Sequence, residues 1–570
     1  MRKRLFGVIA LALMGTSILA GCGSQPEAPE LNTDKSSADS SKRISATDSN
    51  KLPEVAKKRN DTIIVGTSAP VGQFNSAYAS DASDLQVIGL IFTPLLNNDE
   101  KGNPIPNVAD KWDISEDKKT YTFKLKEGIK FSNGDELTAD DVAFTYTTLC
   151  DPSYDGSRSN AVEDLDGYKQ YRDGNDKSVR GIKVIDKNTI SFTFSEPNSS
   201  AIYKFNHGIM PKSVYDFPKG NIQKVKDLFS KPVGAGPYKL VEHKQGQEVV
   251  LERNDNYFKG QPKIKNMVLK VTNGKTNLQE LMSGNIDIEE IGIKPESVQQ
   301  LQSAGFLNLD VCLDNGYNYI GWNLNNEKFK DKKVRQALTY GFNRKAFTDS
   351  YYKGYAEVIN GPILPMSWAY TDDLNKYEYN VEKANELLDE AGWKIGSDGI
   401  REKDGEKLSI RWLTYTDSKF VDTLIPILKE DWKKIGIEVT PELVEFGTLS
   451  STVREKRDYE MFNMAWSLSV DPDPSGLFGI DQDKPGGHNF VGWRNDEADK
   501  LLKDALQETD QEKKKDIYVK WQKIANEELP YMFLNQNKKA LVSNTRVKNL
   551  KISPYVSWIQ NVHEVELEQY

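Results

Sequence analysis

Cysteine and histidine are scarce in this chain. Three cysteines (Cys22, Cys150 and Cys312) occur in 570 residues, with no Cys-x-x-Cys pair. That excludes a disulfide scaffold and a thiolate zinc site, so the fold must rest on its apolar core. The histidines His207, His243, His488 and His563 lie far apart, none at a metal-ligand spacing, and read as surface or structural residues. A Walker A loop and a Gly-x-Ser-x-Gly elbow are also missing, and His563-Glu564 lacks the second histidine of a metalloprotease helix. Gly234-Ala235-Gly236 is followed at once by Pro237 and a strand-like run, so it reads as a tight turn rather than a phosphate cradle. Positive charge is in deficit, 75 Lys and Arg against 84 Asp and Glu, which disfavours nucleic acid as a partner. No fixed-period repeat is visible, which excludes solenoids and propellers. In so acidic a chain Asp471 and Asp473 do not by themselves mark a glycosidase. The missing enzymatic constellations favour a binding protein, and 10 Trp, 25 Tyr and 22 Phe suit that role, since aromatics give large contact area with a polar handle.

What is present begins at the first residue. Arg2, Lys3 and Arg4 precede an apolar run from Leu5 to Ala20, interrupted at Gly15, Thr16 and Ser17 and ending in Leu19-Ala20-Gly21-Cys22. This is the pattern of a secretory signal peptide, 1–21, closing in a lipobox. The run is short for an ordinary spanning helix, which needs about 20 apolar residues. Cys22 is then the atom site for a diacylglycerol anchor and the mature N-terminus. Residues 22–60 are rich in Ser, Asp, Lys, Pro and Ala, and predict a disordered tether behind the lipidated cysteine.

Folded sequence is expected from Asp61, where Thr62-Ile63-Ile64-Val65 reads as a strand. Tyr121, Phe123 and Leu125 alternate with polar residues, predicting a half-buried strand; Asn133-Gly134 marks a turn, and Thr138 with Asp141 forms a capping box ahead of a helix. Thr189 to Phe194 alternates again. Helical spacing is found in Val334, Ala337 and Leu338, in Ala384, Leu387 and Leu388 between Asn380 and Gly392, in Ala498, Leu501, Leu502 and Ala505, and in Tyr518, Trp521 and Ile524. Strands and helices alternate along the chain, so the class is α/β.

The stretch from Val108-Ala109-Asp110-Lys111-Trp112 through Thr120 to Asn133-Gly134 and on to Leu137-Thr138-Ala139-Asp140-Asp141-Val142 resembles the signature of the extracellular solute-binding proteins, family 5, of bacterial ABC importers. Further matches follow in the family's order: Gly234 to Tyr238, Leu251 to Asn254, Ser283 to Asp287, Val334 to Leu338 with Asn343-Arg344, Ala384 to Trp393, and Ala465 to Pro474. The resemblance covers about residues 61–560.

The resemblance implies a periplasmic-binding-protein-like fold (class II, cluster C) with two lobes and an extra inserted domain. Domain I would comprise 61–93, 229–311 and 534–570; domain II, the insertion, 94–228; and domain III 312–533. A ligand between domains I and III would favour closure through contacts made only in the closed state. The implied function is a lipid-anchored receptor on the outer face of a cell membrane, in a Gram-positive or related bacterium. It would capture oligopeptides and pass them to ABC permease and ATPase subunits, as a monomer without catalytic residues or cofactor. The same fold serves other solutes (nickel complexes, haem, glutathione, oligosaccharides) and signalling peptides, and an anchored hydrolase or adhesin is the alternative of another class. In peptide-binding relatives a carboxylate after the loop tryptophan receives the ligand's α-ammonium. Trp466, with Ser467 beside it, fits that tryptophan, but Ser469 or Val470 falls where the carboxylate is expected, which leaves Asp471 first and Asp473 second. Arg454 matches a position contacting the far end of the ligand, Glu289 and Glu290 lie near another contacting segment where they would face a basic ligand group, and Phe74, Tyr531 and Phe533 fall among cleft-lining positions. Cys150 and Cys312 would lie in different domains, and whether they pair is left open.

Overall fold

The computed structural model describes residues 41–484 and 486–570. The segment expected to be a signal peptide, and Cys22, lie outside the described residues. Along the chain come β1 (Ser41–Ile44), β2 (Thr62–Thr67) and α1 (Ala82–Ile91). A four-stranded unit follows: β3 (Ala109–Ile114), β4 (Thr120–Leu125), α2 (Ala139–Cys150), β5 (Ile182–Asp186) and β6 (Thr189–Thr193). Then come β7 (Tyr238–Lys244), β8 (Glu248–Arg253), β9 (Asn266–Val271), β10 (Ile288–Gly292), β11 (Leu307–Leu313) and β12 (Gly316–Trp322). The remaining elements needed here are α3 (Lys332–Tyr340), β13 (Ala356–Val358), α4 (Val381–Glu390), β14 (Ser409–Tyr415), α5 (Lys419–Lys433), β15 (Glu438–Val444), β16 (Met461–Ser467), α6 (Asp496–Gln507), α7 (Gln511–Glu528) and β17 (Tyr531–Asn544).

Local sequence signals account for many of these. In β4 Tyr121, Phe123 and Leu125 face the core, and at the start of α2 the Thr138 amide donates to Asp141 Oδ2 at 2.8 Å. Asn380 caps α4 by accepting from the Lys383 amide at 2.9 Å, and Gly392 takes the left-handed conformation just beyond it, with φ +87°. Gly236 needs its missing side chain for a different reason: a Cβ there would lie 2.5 Å from the α1 backbone, where the Gly236 amide caps the Ile91 carbonyl at 2.8 Å. Pro441 is tolerated in β15 because that strand lies at the sheet edge.

One thirteen-stranded sheet runs through the molecule in the order β15-β14-β16-β12-β17-β10-β2-β9-β8-β7, with β1 on β11 and both β11 and β13 on β17. Its two halves carry separate cores. Ile63, Val65, Val249, Leu251, Met267 and Leu269 pack with the inserted four-stranded unit, order β3-β4-β6-β5, in one; Trp322, Trp412 and Trp432 lie in the other. The fourteen-residue β17 belongs to both halves: Tyr531–Asn535 pairs with β12, and Lys539–Ser543 with β10.

Residues 41–60 are ordered, not part of a tether. β1 pairs with β11 from Ser41↔Cys312 to Ile44↔Leu309, Arg43 holds Asp310 with two hydrogen bonds of 2.7 and 2.8 Å, and Leu52 is only 2% exposed. Composition missed this because β1 takes its stability from backbone pairing with a distant strand rather than from its own apolar residues. Cys150 and Cys312 are both buried and free.

Candidate functional site

The register places the site. β2, β9 and β10 run parallel and end at Thr67, Val271 and Gly292; β14, β15 and β16 run parallel and end at Tyr415, Val444 and Ser467. Gly292 lies opposite Lys539, Ser467 lies opposite Gly316, and the Asp314 amide donates to the Asn537 carbonyl at 2.8 Å. Both sets of carboxyl ends therefore converge at residues 537–539, where β17 passes from one half to the other. Crevices outside the carboxyl ends of parallel strands are where α/β sheets bind ligands. Among the described residues two connections cross at this level, β17 and the Asp314–Asn315 link between β11 and β12. Gln536 ties them through the Asp314 carbonyl at 2.8 Å, and Asn315 holds the carbonyls of Leu468 and Ser469 at 3.0 Å each. Two short, tied connections between two cores are the anatomy of a hinge.

On the first lobe the strand ends open into a cavity of about 800 Å³, lined by Thr67, Ser68, Thr272, Asn273, Glu289 and Glu290 and reaching Arg158 and His207 of the inserted unit. Glu290, expected to face a basic ligand group, is paired with Lys539 at 3.1 Å. Burial and the neighbouring Arg158 push His207 down to about 3, so it is neutral.

On the second lobe an aromatic shelf stands at the end of β16. Trp466 stacks on Tyr319 (centroids 6.1 Å apart, planes at 5°) and on Phe490 (5.4 Å, 23°), with His488 edge-on at 5.7 Å. Arg454 Nη2 lies 3.2 Å from His488 Nε2, and its guanidinium sits 5.9 Å over Phe490. Burial and Arg454 lower the His488 pKa, keeping the ring neutral. Tyr531 lies beneath Tyr319 at 4.2 Å, and Phe533 packs against it; both are buried and form the floor, while Ser467 is exposed at the strand end. The Trp466 indole N–H and the hydroxyls of Tyr317, Tyr319 and Tyr531 have no hydrogen-bond partner. These atoms are buried within the stack, with Tyr531 beside both Trp466 and Tyr319. The structure thus brings Trp466, Arg454, Tyr531 and Phe533 together and adds His488, Phe490 and Tyr319. No spacing in the sequence reveals these, since they come from separate elements; the alternation of Tyr317 with Tyr319 was the one available hint.

Three expected residues are placed differently. Phe74 is 0% exposed, its ring 4.9 Å from His243, and belongs to the core of the first lobe. Asp471 turns toward the inserted unit. It accepts from the Asp473 amide at 3.2 Å and lies beside Ser200 and Lys514, whose ammonium donates to Ser199 and Ser200 at 2.9 and 3.0 Å. Burial pushes the Asp471 carboxyl up to about 6, against the pull of Lys514. Asp473 closes the next turn, accepting from Ser475 N at 3.2 Å and Ser475 Oγ at 2.5 Å. Both carboxylates are thus occupied within the protein, because Pro472 and Pro474 fix a loop whose own amides and hydroxyl they satisfy.

Residues 103–487 match the family model of the bacterial extracellular solute-binding proteins, family 5 middle region. The chain is 34% identical over 501 residues to the oligopeptide-binding protein AppA of Bacillus subtilis, covering 86% of this chain and 89% of that one. The structure of that AppA in complex with a nonapeptide superimposes with a TM-score of 0.72 at 32% identity, over 90% of this chain and 100% of the other. NikZ from Campylobacter jejuni, solved with Ni(L-His), gives 0.74 at 26% identity, over 89% and 99%.

Proposed function

The chain belongs to the bacterial extracellular solute-binding proteins of family 5, a family of binding proteins rather than enzymes, and we propose that it captures oligopeptides between its two lobes and hands them to an ABC permease. The observation carrying this reading is the convergence of the two sets of strand ends on the crossing of β17, with a polar cavity on one side and the Trp466 shelf on the other. An extended peptide placed there runs past the strand ends of both lobes, where pairing through its own main chain would give affinity independent of side chains. Bridging water along the aromatic wall would let it accept varied side chains. Similarity to an AppA bound to a nonapeptide supports a long peptide as ligand. The protein works as a monomer tethered through lipid on Cys22, and ATP is consumed by partner subunits.

Native mass spectrometry of the protein purified without its leader tests the ligand. A co-purifying mixture of peptide masses is expected; a single nickel complex, haem or sugar would contradict it. Replacing Cys22 by Ala should release the protein to the medium or leave it unprocessed, whereas unchanged membrane retention and unchanged processed mass would refute the anchor.

A further inference from the structure

The first-lobe cavity contains a carboxylate with no counter-ion. Glu289 stands near the start of β10, level with the carboxyl end of β2, where Ile288 pairs with Val65. The residue is 7% exposed and lines the cavity. Glu289 Oε1 accepts from Thr272 Oγ1 at 2.8 Å, and Oε2 has no partner. The space is reserved for it: a Cβ on Gly66 would lie 2.3 Å from Oε2.

The surrounding charges are already committed. Glu280, on the short helix Asn277–Met282, is paired with Lys270 of β9 at 2.9 Å, and Glu290 on β10 itself with Lys539 of β17 at 3.1 Å. Among the described residues no cation forms an ion pair with Glu289. An unanswered buried carboxylate is unfavourable in its charged form. Burial accordingly raises the Glu289 pKa and the nearby Glu280 adds to the effect, against the opposing pull of Thr272 and Asn277. The group is held in place, desolvated and short of one donor.

We propose that Glu289 selects ligands carrying a positive nitrogen group, ammonium or guanidinium, which its Oε2 receives when the lobes close. The inference rests on the peptide reading and sharpens it. The cation can be a lysine or arginine side chain or the peptide's α-ammonium. In either case the ion pair forms in a site shielded from water, where a charge-assisted hydrogen bond discriminates strongly against a neutral isostere.

The test uses alanine-based nonapeptides in which one lysine or one norleucine is moved through each position, each made with a free and an acetylated N-terminus. Affinities are measured by calorimetry for the protein and for Glu289→Gln. At one position, or at the N-terminus, the wild-type protein should favour the charged form at least tenfold, and the variant should lose that preference while binding the neutral peptide as before. The arm that responds identifies the source of the cation. Peptides that bind with the same charge preference in both proteins would overturn the assignment and leave the peptide reading standing. A protein that binds none of the peptides would overturn both. Should Glu289→Gln not fold, Glu289→Asp, which keeps the charge and shortens its reach, decides. A charge preference weakened in Glu289→Asp supports the assignment, and an unchanged one overturns it.

Discussion

Asp287 carries the buried charge on which the first lobe depends. Its carboxylate is 0% exposed and accepts from Arg59 Nη2 at 2.7 Å, the Ile64 amide at 2.8 Å, Asn544 Nδ2 at 2.7 Å and Arg546 Nε at 3.0 Å. Arg546, 1% exposed, also donates to the carbonyls of Ala56, Arg59 and Thr62. One carboxylate thus ties the entry to β2, the start of β10 and the far end of β17. Asp287→Asn keeps the volume and removes the charge, leaving two guanidinium groups without their answer. Breaking a buried ion pair from one side costs about 3–5 kcal/mol, because the surviving charge is stranded. For a cooperative unit of about 150–250 residues, the size class of one lobe, each kcal/mol lowers the melting temperature by about 2–4 °C. Scanning calorimetry should therefore show the first-lobe transition falling by about 6–20 °C, with the second-lobe transition nearly unmoved. A shift under about 1 °C would refute the reasoning and assign Asp287 to backbone hydrogen bonding alone.

Other consequences are equally direct. Asp471 is raised from 3.8 to about 6, so folding favours its protonated form. Its contribution to stability is complete below pH about 4 and is lost as pH rises through about 6. Asp471→Asn should flatten that slope in thermal melts, and should affect free and acetylated peptides alike; an unchanged slope, or a loss confined to free peptides, would return Asp471 to the ligand. A protein starting at residue 61 should be less stable by at least the ~1.5–3 kcal/mol of burying one leucine, Leu52, and an unchanged denaturation midpoint would make 41–60 a tether after all. Gly66→Ala should displace the Glu289 carboxylate and weaken the preferred cationic peptide more than its neutral partner; equal binding of both would contradict the close approach.

The parts of the fold legible in the sequence are those set by neighbouring residues. The Tyr121–Phe123–Leu125 alternation, the Thr138–Asp141 box and the Asn380 cap each act over a few positions, and each is found where expected. β1 was hidden because its partner, β11, lies more than 250 residues away. The crossing at residues 537–539 was hidden for the same reason, since it exists only through the register of β17 with β10 and of β12 with β16. Trp466 and Arg454 were reachable by resemblance. His488 was not, because its role comes from lying between them in space. Asp471 shows the opposite hazard. A carboxylate near the right tryptophan looked like a ligand group, whereas two prolines turn it toward Ser200 and Lys514.

The central claim is that one ligand touches the strand ends of both lobes at the crossing of β17. Hydrogen exchange with and without a saturating nonapeptide, read by mass spectrometry, tests it most directly. Simultaneous protection of residues 66–69 and 272–274 on the first lobe and 466–470 on the second is expected, with the inserted sheet of β3 to β6 unchanged. Protection confined to one lobe, or strongest in the inserted sheet, would contradict it.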